Sequence, residues 1–351
     1  MNDRIQTLRN KMAGQDLQGI IIADPVNVKY LTGINAEGIL LLTRKENVYI
    51  TDSRYIEYVN SVITPFDEIV LDDVKNISQD EYENFFMFCE NVGFEENYLT
   101  YAKYKEYMHK YRVNLVEAED LITQTRSIKD SKEIESIKKA CEVTDKCFEM
   151  LLSYIKPGMT EKQIARKIDR FYSENAEGNS FDTIVASGEN SSKPHAIPTD
   201  REIMSQDIIT IDMGCKVDGY CSDMTRTIFV GEPTEEQRKI YNLVLKNQKS
   251  VLNQMRDGAN IRTLVQSVES DFKLNGFDLI HALGHGVGLE IHEKPLFKRK
   301  TDCILKENMV ITDEPGIYIP ENFGVRIEDT VLVTKQGATV LTESKKECII
   351  I

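Results

Sequence analysis

The sequence predicts a two-domain α/β protein whose carboxy-terminal domain is assembled from two similar halves. Three observations carry that expectation. A chain of 351 residues is long enough to bury two cores. Residues 1–125 alternate strand-like and helix-like segments. From Asp130 onward the order helix, helix, strands occurs twice, and each time acidic residues fall within the strand motifs.

Taken in order, Gly19-Ile20-Ile21-Ile22, Gly38-Ile39-Leu40-Leu41-Leu42 and Asn47-Val48-Tyr49-Ile50 are short apolar runs that read as strands. Helices are expected from Ser53 and from Ser78, where serine or aspartate can cap the first turn. His109, the one histidine of this part, lies in a lysine- and tyrosine-rich helical stretch and reads as a solvated surface side chain. A long helix then starts near Asp130, with Ile134, Ile137, Ala140, Cys141 and Val143 at helical spacing, and ends at Lys156-Pro157-Gly158. The next opens on the capping box Thr160-Glu161-Lys162-Gln163. Strand motifs with Asp212 and Asp223 follow. The pattern then repeats: a helix capped by Thr234-Glu235-Glu236-Gln237 ends at Asp257-Gly258, and another runs to Asn275-Gly276. Strand-like motifs with His285, Glu314 and Glu328 complete it, which places the expected site between the halves.

Composition narrows the function classes. A net charge of −14 argues against a general affinity for nucleic acid or an anionic membrane. No apolar run approaches the ~18–20 residues of a membrane span. The seven cysteines form no CxxC pair and are odd in number, and the start MNDRIQTLRNK carries no signal peptide. They read as reduced thiols of a cytoplasmic protein. Cys215 and Cys221 flank the acidic motif, but alternation puts Cys215 one residue out of phase with Asp212, so neither is counted as a ligand.

Ile208 to Phe229 reads as a β-hairpin turning at Asp218-Gly219, a favoured pair for a two-residue primed turn. That register sets Val217 against Tyr220, Gly214 against Asp223 and Thr225 against Asp212. The two aspartates become diagonal neighbours on one face, with Cβ atoms ~7 Å apart. Such a gap suits carboxylates converging on one or two metal ions, which lie ~3.5–4 Å apart in paired sites. Gly214 is expected to leave room for what they hold. An exposed hairpin with acidic residues on its wet face is the competing reading, and Ile209, Ile211 and Met213 speak against it.

His281 and His285 stand four apart, but Gly284, Gly286 and Gly288 argue against a helix and for a tight strand or loop that approaches a ligand closely. His292 follows beyond the bend. Glu314 precedes Pro315-Gly316, so its carboxylate sits at a strand end. In Val325-Arg326-Ile327-Glu328 alternation puts Arg326 and Glu328 on one face, the competing reading being an ion pair on a surface strand. Hard divalent cations take carboxylate oxygens, and a neutral imidazole fills a remaining position.

The motifs PHAIPTDR around His195, IDMGCKVDGYCSDMTRT from Ile211, HALGHGVGLEIHE from His281, DEPGIY from Asp313 and VRIED from Val325 resemble those of the Xaa-Pro metallopeptidases of the pita-bread fold. These are the prolidases and aminopeptidases P, with methionine aminopeptidase and creatinase as relatives. The resemblance covers the whole length, as a creatinase-like domain at 1–125 and a catalytic domain at 126–351. It implies two divalent metal ions, manganese first, with cobalt or zinc admissible, held by Asp212, Asp223, His285, Glu314 and Glu328. Asp212 and Glu328 would take bridging or chelating positions, with a water or hydroxide shared between the ions. Glu314 would shuttle the proton, His292 would steady the oxyanion and His195 would assist catalysis. His195, His281, His292, Tyr318 and Arg326 would contact substrate, Arg326 through a carboxylate or carbonyl.

Proline-containing peptides are the implied substrates and a cytoplasmic homodimer the implied assembly, with no nucleic acid or membrane partner. Departures from the family pattern are small: Ala282 follows the first histidine where glycine is common, Asp313 precedes Glu314 where an apolar residue is common, the stretch before His195 reads ENSSKPHA, and tryptophan is absent. None removes a ligand. A pita-bread binding protein that has lost catalysis, or a metal-free creatinase-type hydrolase, should have lost acidic ligands. A methionine aminopeptidase shares the ligands, but the first domain and the His195 and Arg326 motifs favour proline. Dipeptide and longer-peptide specificity are not distinguished by these residues.

Overall fold

The computed structural model describes residues 2–62 and 84–351, divided into two compact units, Met1–Arg126 and Ser127–Ile351. In the first unit, α1 (Asn2–Gly14), α2 (Pro25–Thr32), α3 (Ile56–Val62), α4 (Tyr101–Tyr111) and α5 (Glu119–Arg126) accompany one five-stranded sheet. Its order is β3-β2-β1-β4-β5, from β1 (Gly19–Ile22), β2 (Ile39–Thr43), β3 (Asn47–Ile50), β4 (Asn91–Phe94) and β5 (Asn114–Glu117). The apolar runs expected as strands pair antiparallel as β1–β2 and β2–β3, while β1–β4 and β4–β5 are parallel. The helix expected from Ser53 begins at Ile56, because Asp52 accepts the Arg54 amide at 2.9 Å and holds a turn there. The helix expected from Ser78 lies outside the described residues. His109 is exposed on α4.

The second unit repeats one plan. α6 (Ser131–Tyr154) starts on a capping box of Asp130 and Glu133, α7 (Glu161–Asn175) on one of Thr160 and Gln163, and α8 (Glu235–Gln254) on one of Thr234 and Gln237. α9 (Ile261–Leu274) is capped by Asn260. The first pair packs Phe148, Leu151, Ile164, Ile168 and Tyr172 onto Ile209, Ile211 and Ile228 of the first sheet. The second packs Tyr241, Val244, Leu264, Val268 and Phe272 with Ile311, Val325 and Val331. Each amphipathic pair thus buries its apolar stripe on one sheet, and burial of that kind dominates the stability of such layers.

The first sheet has the order β18-β10-β7-β6, from β6 (Ile184–Ser187), β7 (Ile208–Met213), β10 (Met224–Phe229) and β18 (Ile349–Ile350); β8 (Lys216–Val217) and β9 (Tyr220–Cys221), between β7 and β10 in the chain, form a separate two-stranded hairpin. The second has the order β12-β11-β13-β16-β17, from β11 (His285–Gly286), β12 (Glu293–Leu296), β13 (Val310–Asp313), β16 (Asp329–Val333) and β17 (Ala338–Val340). Between β13 and β16 the chain makes a separate hairpin, β14 (Gly316–Ile319) and β15 (Phe323–Arg326). The two sheets are not copies: β18 joins the first half's sheet by parallel pairing with β10, an arrangement a two-residue strand gives no local sign of.

Candidate metal centre and active site

The β7–β10 ladder has the register expected from the turn, with Thr225 opposite Asp212 and Val217 opposite Tyr220. Asp218 and Gly219 both have positive φ, 53° and 80°, as a primed turn requires. The purpose of Gly214 is different from the one expected. A Cβ there would overlap the Ser222 carbonyl, so the glycine admits the partner strand's backbone and does not make room for a ligand. The histidine segment needs the same correction. Cβ atoms at Gly284 and Gly286 would strike the carbonyls of Thr312 and Lys294, and one at Gly288 the Glu293 carboxylate.

Glu314 and Glu328 occupy facing interruptions of the sheet, Glu314 just after β13 and Glu328 just before β16. The strand expected through 325–328 stops at Arg326, and all four of its residues are buried on both faces. This removes the surface ion pair as an account of Arg326 and Glu328, which are 4% and 2% exposed. The break lets the chain leave its hairpin partner, and the Glu328 amide donates to the Thr225 carbonyl across the halves at 3.1 Å.

Among the described residues, Asp223, His285 and Glu328 form a group with donor atoms all within 4.8 Å of one another. His285 Nε2 lies 3.4 Å from Asp223 Oδ2 and 3.5 Å from Glu314 Oε1. Its Nδ1 sits 3.1 Å from the Gly286 carbonyl, which can only accept, so Nδ1 carries a proton and Nε2 is the ring atom turned toward the two carboxylates. Asp212 Oδ2 accepts from Arg326 Nη2 at 2.6 Å, and Oδ1 is buried with no hydrogen-bond partner among the described residues. Lone pairs converging in a buried space repel unless a cation lies between them, so this donor set fits divalent metal.

Two hydroxyls that pattern reading passed over orient the acids. Thr225 Oγ1 donates to Glu328 Oε2 at 2.6 Å and accepts from Arg326 Nε at 3.0 Å. Thr312 Oγ1 accepts the His285 amide at 3.0 Å and donates to Glu314 Oε1 at 3.3 Å. Behind Glu328, the buried Arg226 guanidinium donates to the Glu328 carbonyl, to Asp329 Oδ1 at 2.8 Å, and to the carbonyls of Ser344 and Lys345 at 2.8 and 3.1 Å.

A cavity of about 780 Å³ opens onto these acids, and His195, His281, His292 and Arg326 also line it. Phe181, Ile184, Ile197, Ile291 and Leu296 supply apolar wall. His292 is exposed, its ring edge-on to His285 with centroids 4.4 Å apart. Its loop is anchored from below, where the buried Glu293 accepts Lys129 Nζ at 3.1 Å and the Glu290 amide at 3.2 Å. Tyr318 backs the cavity: its hydroxyl lies 3.0 Å from His281 Nε2 and accepts from Arg326 Nη1 at 2.8 Å. Arg326 also donates to the Pro194 carbonyl at 3.1 Å, so its guanidinium is largely spent on holding the site together. Burial, followed by the charge of Arg326, brings the His281 imidazole down to about 4, which leaves it neutral.

Burial, reinforced for Asp223 and Glu328 by the neighbouring acids, raises the carboxyls of Asp223, Glu328 and Glu314 above the ordinary range. Without a cation the folded chain therefore keeps protons that the unfolded chain has released. That contribution to stability is present at low pH and is lost as pH rises above the usual carboxylate value of ~4. A bound cation would replace those protons. The rise in melting temperature on adding manganese should accordingly grow as the pH is raised above the usual carboxylate value of ~4. A pH-independent rise in differential scanning fluorimetry would contradict it. His281 works in the opposite sense below 6.5, where protonation opposes folding, and does so with or without cation.

An acid-lined cavity set between two helix-backed sheet halves is the arrangement of a pita-bread peptidase. Residues 135–335 match the Metallopeptidase family M24, and residues 4–128 match the Creatinase/Prolidase N-terminal domain. The chain belongs to the metallopeptidase family M24. It is 38% identical to the Xaa-Pro dipeptidase of Pyrococcus furiosus, over 99% of this chain and all of that one. Among solved structures, the Xaa-Pro dipeptidase of Bacillus anthracis superposes with a TM-score of 0.94 at 35% identity, covering 99% of each chain. The X-Pro aminopeptidase of Thermotoga maritima does so with a TM-score of 0.87 at 30% identity, over 98% of this chain and 99% of that one.

Proposed function

We propose that this protein hydrolyses the bond between an amino-terminal residue and proline, using two divalent cations held by Asp212, Asp223, His285, Glu314 and Glu328. The observation that carries this reading is His285 Nε2 facing two carboxylates within 3.5 Å, beside Asp212 Oδ1, which is buried with no hydrogen-bond partner among the described residues. The names of the P. furiosus and B. anthracis relatives support the proline substrate. Cations held there supply Lewis acidity, which polarises a carbonyl and lowers the pKa of water.

The chain's own groups do the rest. Glu314, with its carboxyl raised by burial, accepts the proton of the attacking water and passes it to the proline nitrogen. That nitrogen belongs to a tertiary amide and departs only once protonated, so the shuttle is indispensable. His292, at the open edge, donates to the carbonyl oxygen as charge develops there. His195 faces the same space, and His281 with Tyr318 fixes Arg326, which in turn holds Asp212. Two domains at 1–125 and 126–351, assembled as a cytoplasmic homodimer, belong to the same proposal and rest on the family resemblance.

The test is release of the amino-terminal residue by metal-stripped protein re-supplied with manganese, cobalt or zinc, on a Xaa-Pro dipeptide and a Xaa-Pro-Yaa-Zaa peptide side by side. Cation-dependent release from the dipeptide alone assigns a dipeptidase, and release from the longer peptide an aminopeptidase. Binding of two cations with neither peptide cut would favour a binding protein that keeps the ligands.

A further inference from the structure

We propose that Glu161 is a positioning residue that sets His195 over the cavity, an inference resting on the peptidase reading above. Glu161 opens α7 directly after its cap and is fully buried. Its two oxygens are divided between the two ends of one loop. Oε1 accepts the Ser187 amide at 2.7 Å and the Ser187 hydroxyl at 2.8 Å, where β6 ends. Oε2 accepts the Thr199 amide at 2.9 Å and the Thr199 hydroxyl at 2.6 Å. Asn190 Nδ2 donates to both oxygens at 3.2 Å. The first amides of α7, unsatisfied within the helix, fasten the far end: Glu161 donates to the Arg201 carbonyl and Lys162 to the Thr199 carbonyl, at 3.2 and 3.1 Å.

Pro194, His195, Ala196, Ile197 and Pro198, five consecutive residues between these ends, all line the cavity. The segment is a strap closed on one carboxylate. Only a carboxylate accepts on both oxygens. Glutamine at 161 would point an N–H at a backbone N–H of one end, and a backbone amide, unlike a hydroxyl, cannot turn round to accept. One end of the strap would then lose its carboxylate anchor. A misplacement of about 1 Å in a reacting group costs on the order of a hundredfold in rate.

The experiment is a double-mutant cycle on the full chain with manganese: parent, Glu161→Gln, His195→Ala and the pair, each measured for kcat and KM on a Xaa-Pro dipeptide and for cation stoichiometry. Glu161→Gln should lower kcat by about tenfold to a hundredfold, with KM and bound cation little changed. In the His195→Ala background it should cost less than about twofold, because the group it positions is gone. Losses that multiply would mean that Glu161 acts on the fold generally and would overturn the proposal, as would a fully active His195→Ala protein. Hydrogen–deuterium exchange separates this result from failure of the peptidase reading. Faster exchange confined to 187–199 in Glu161→Gln supports the strap whether or not any peptide is cut. Faster exchange throughout the first half counts against it. Thr199→Val, an exposed site that removes one hydroxyl from the same carboxylate, serves if Glu161→Gln does not fold, with a smaller effect in the same direction.

Discussion

Asp223→Asn will bind manganese at least about a hundredfold more weakly than the parent chain, a loss of about 2.8 kcal/mol, and will lose measurable release of the amino-terminal residue. Asp223 Oδ2 is one of two carboxylate oxygens set against His285 Nε2, and an amide there supplies either a weaker oxygen or a hydrogen that repels a cation. The same substitution should make the cation-free protein more stable. Burial and the neighbouring Asp212 and Glu314 make Asp223 take up a proton on folding, a cost above the usual carboxylate pKa that an amide does not carry. Isothermal titration with manganese and thermal melts of the stripped proteins read the two effects. Parent-like affinity would remove Asp223 from the ligand set, and an unchanged apo melting temperature would remove proton uptake as its burden.

His292→Ala should separate catalysis from cation binding. Its ring packs edge-on against His285 but, among the described residues, makes no hydrogen bond to the acids, and its loop is held independently by Glu293 and Lys129. We expect both cations to remain, KM to change little, and kcat to fall by about a hundredfold to a thousandfold, the usual cost of losing one oxyanion donor. If titration shows a cation lost with the ring, His292 belongs among the ligands and the division of labour proposed above is wrong.

These residues differ in how far the sequence announces them. The capping boxes at Thr160 and Thr234 and the Asp218-Gly219 turn act within four residues, and the helices and the hairpin register follow them closely. That the acids and His285 converge on one cavity is legible because a hard cation would demand those side chains in glycine-rich, strand-like surroundings. Thr225 and Thr312 were not. A threonine in a strand looks like any β-branched filler until its acceptor is known, and the acceptor of Thr225 lies 103 residues away. Glycine misled for a related reason. Its missing Cβ was visible at Gly214 and Gly286, but whether a ligand or another backbone fills the gap depends on partners that the local pattern does not contain. The break at Glu328 was hidden because Val325 to Glu328 alternates like an uninterrupted strand.

Arg226 carries a consequence for the order in which the protein is made. Its guanidinium finds acceptors at Glu328, Asp329, Ser344 and Lys345, the last of them 119 residues downstream. At a ribosomal pace of roughly 5–20 residues per second, this side chain waits about 6–24 s after its own synthesis before those acceptors exist. Until then the first half carries a cation destined for burial, and Glu328 has no clamp on its carbonyl. A nascent chain should therefore remain inert towards peptides until residues 344–350 have emerged.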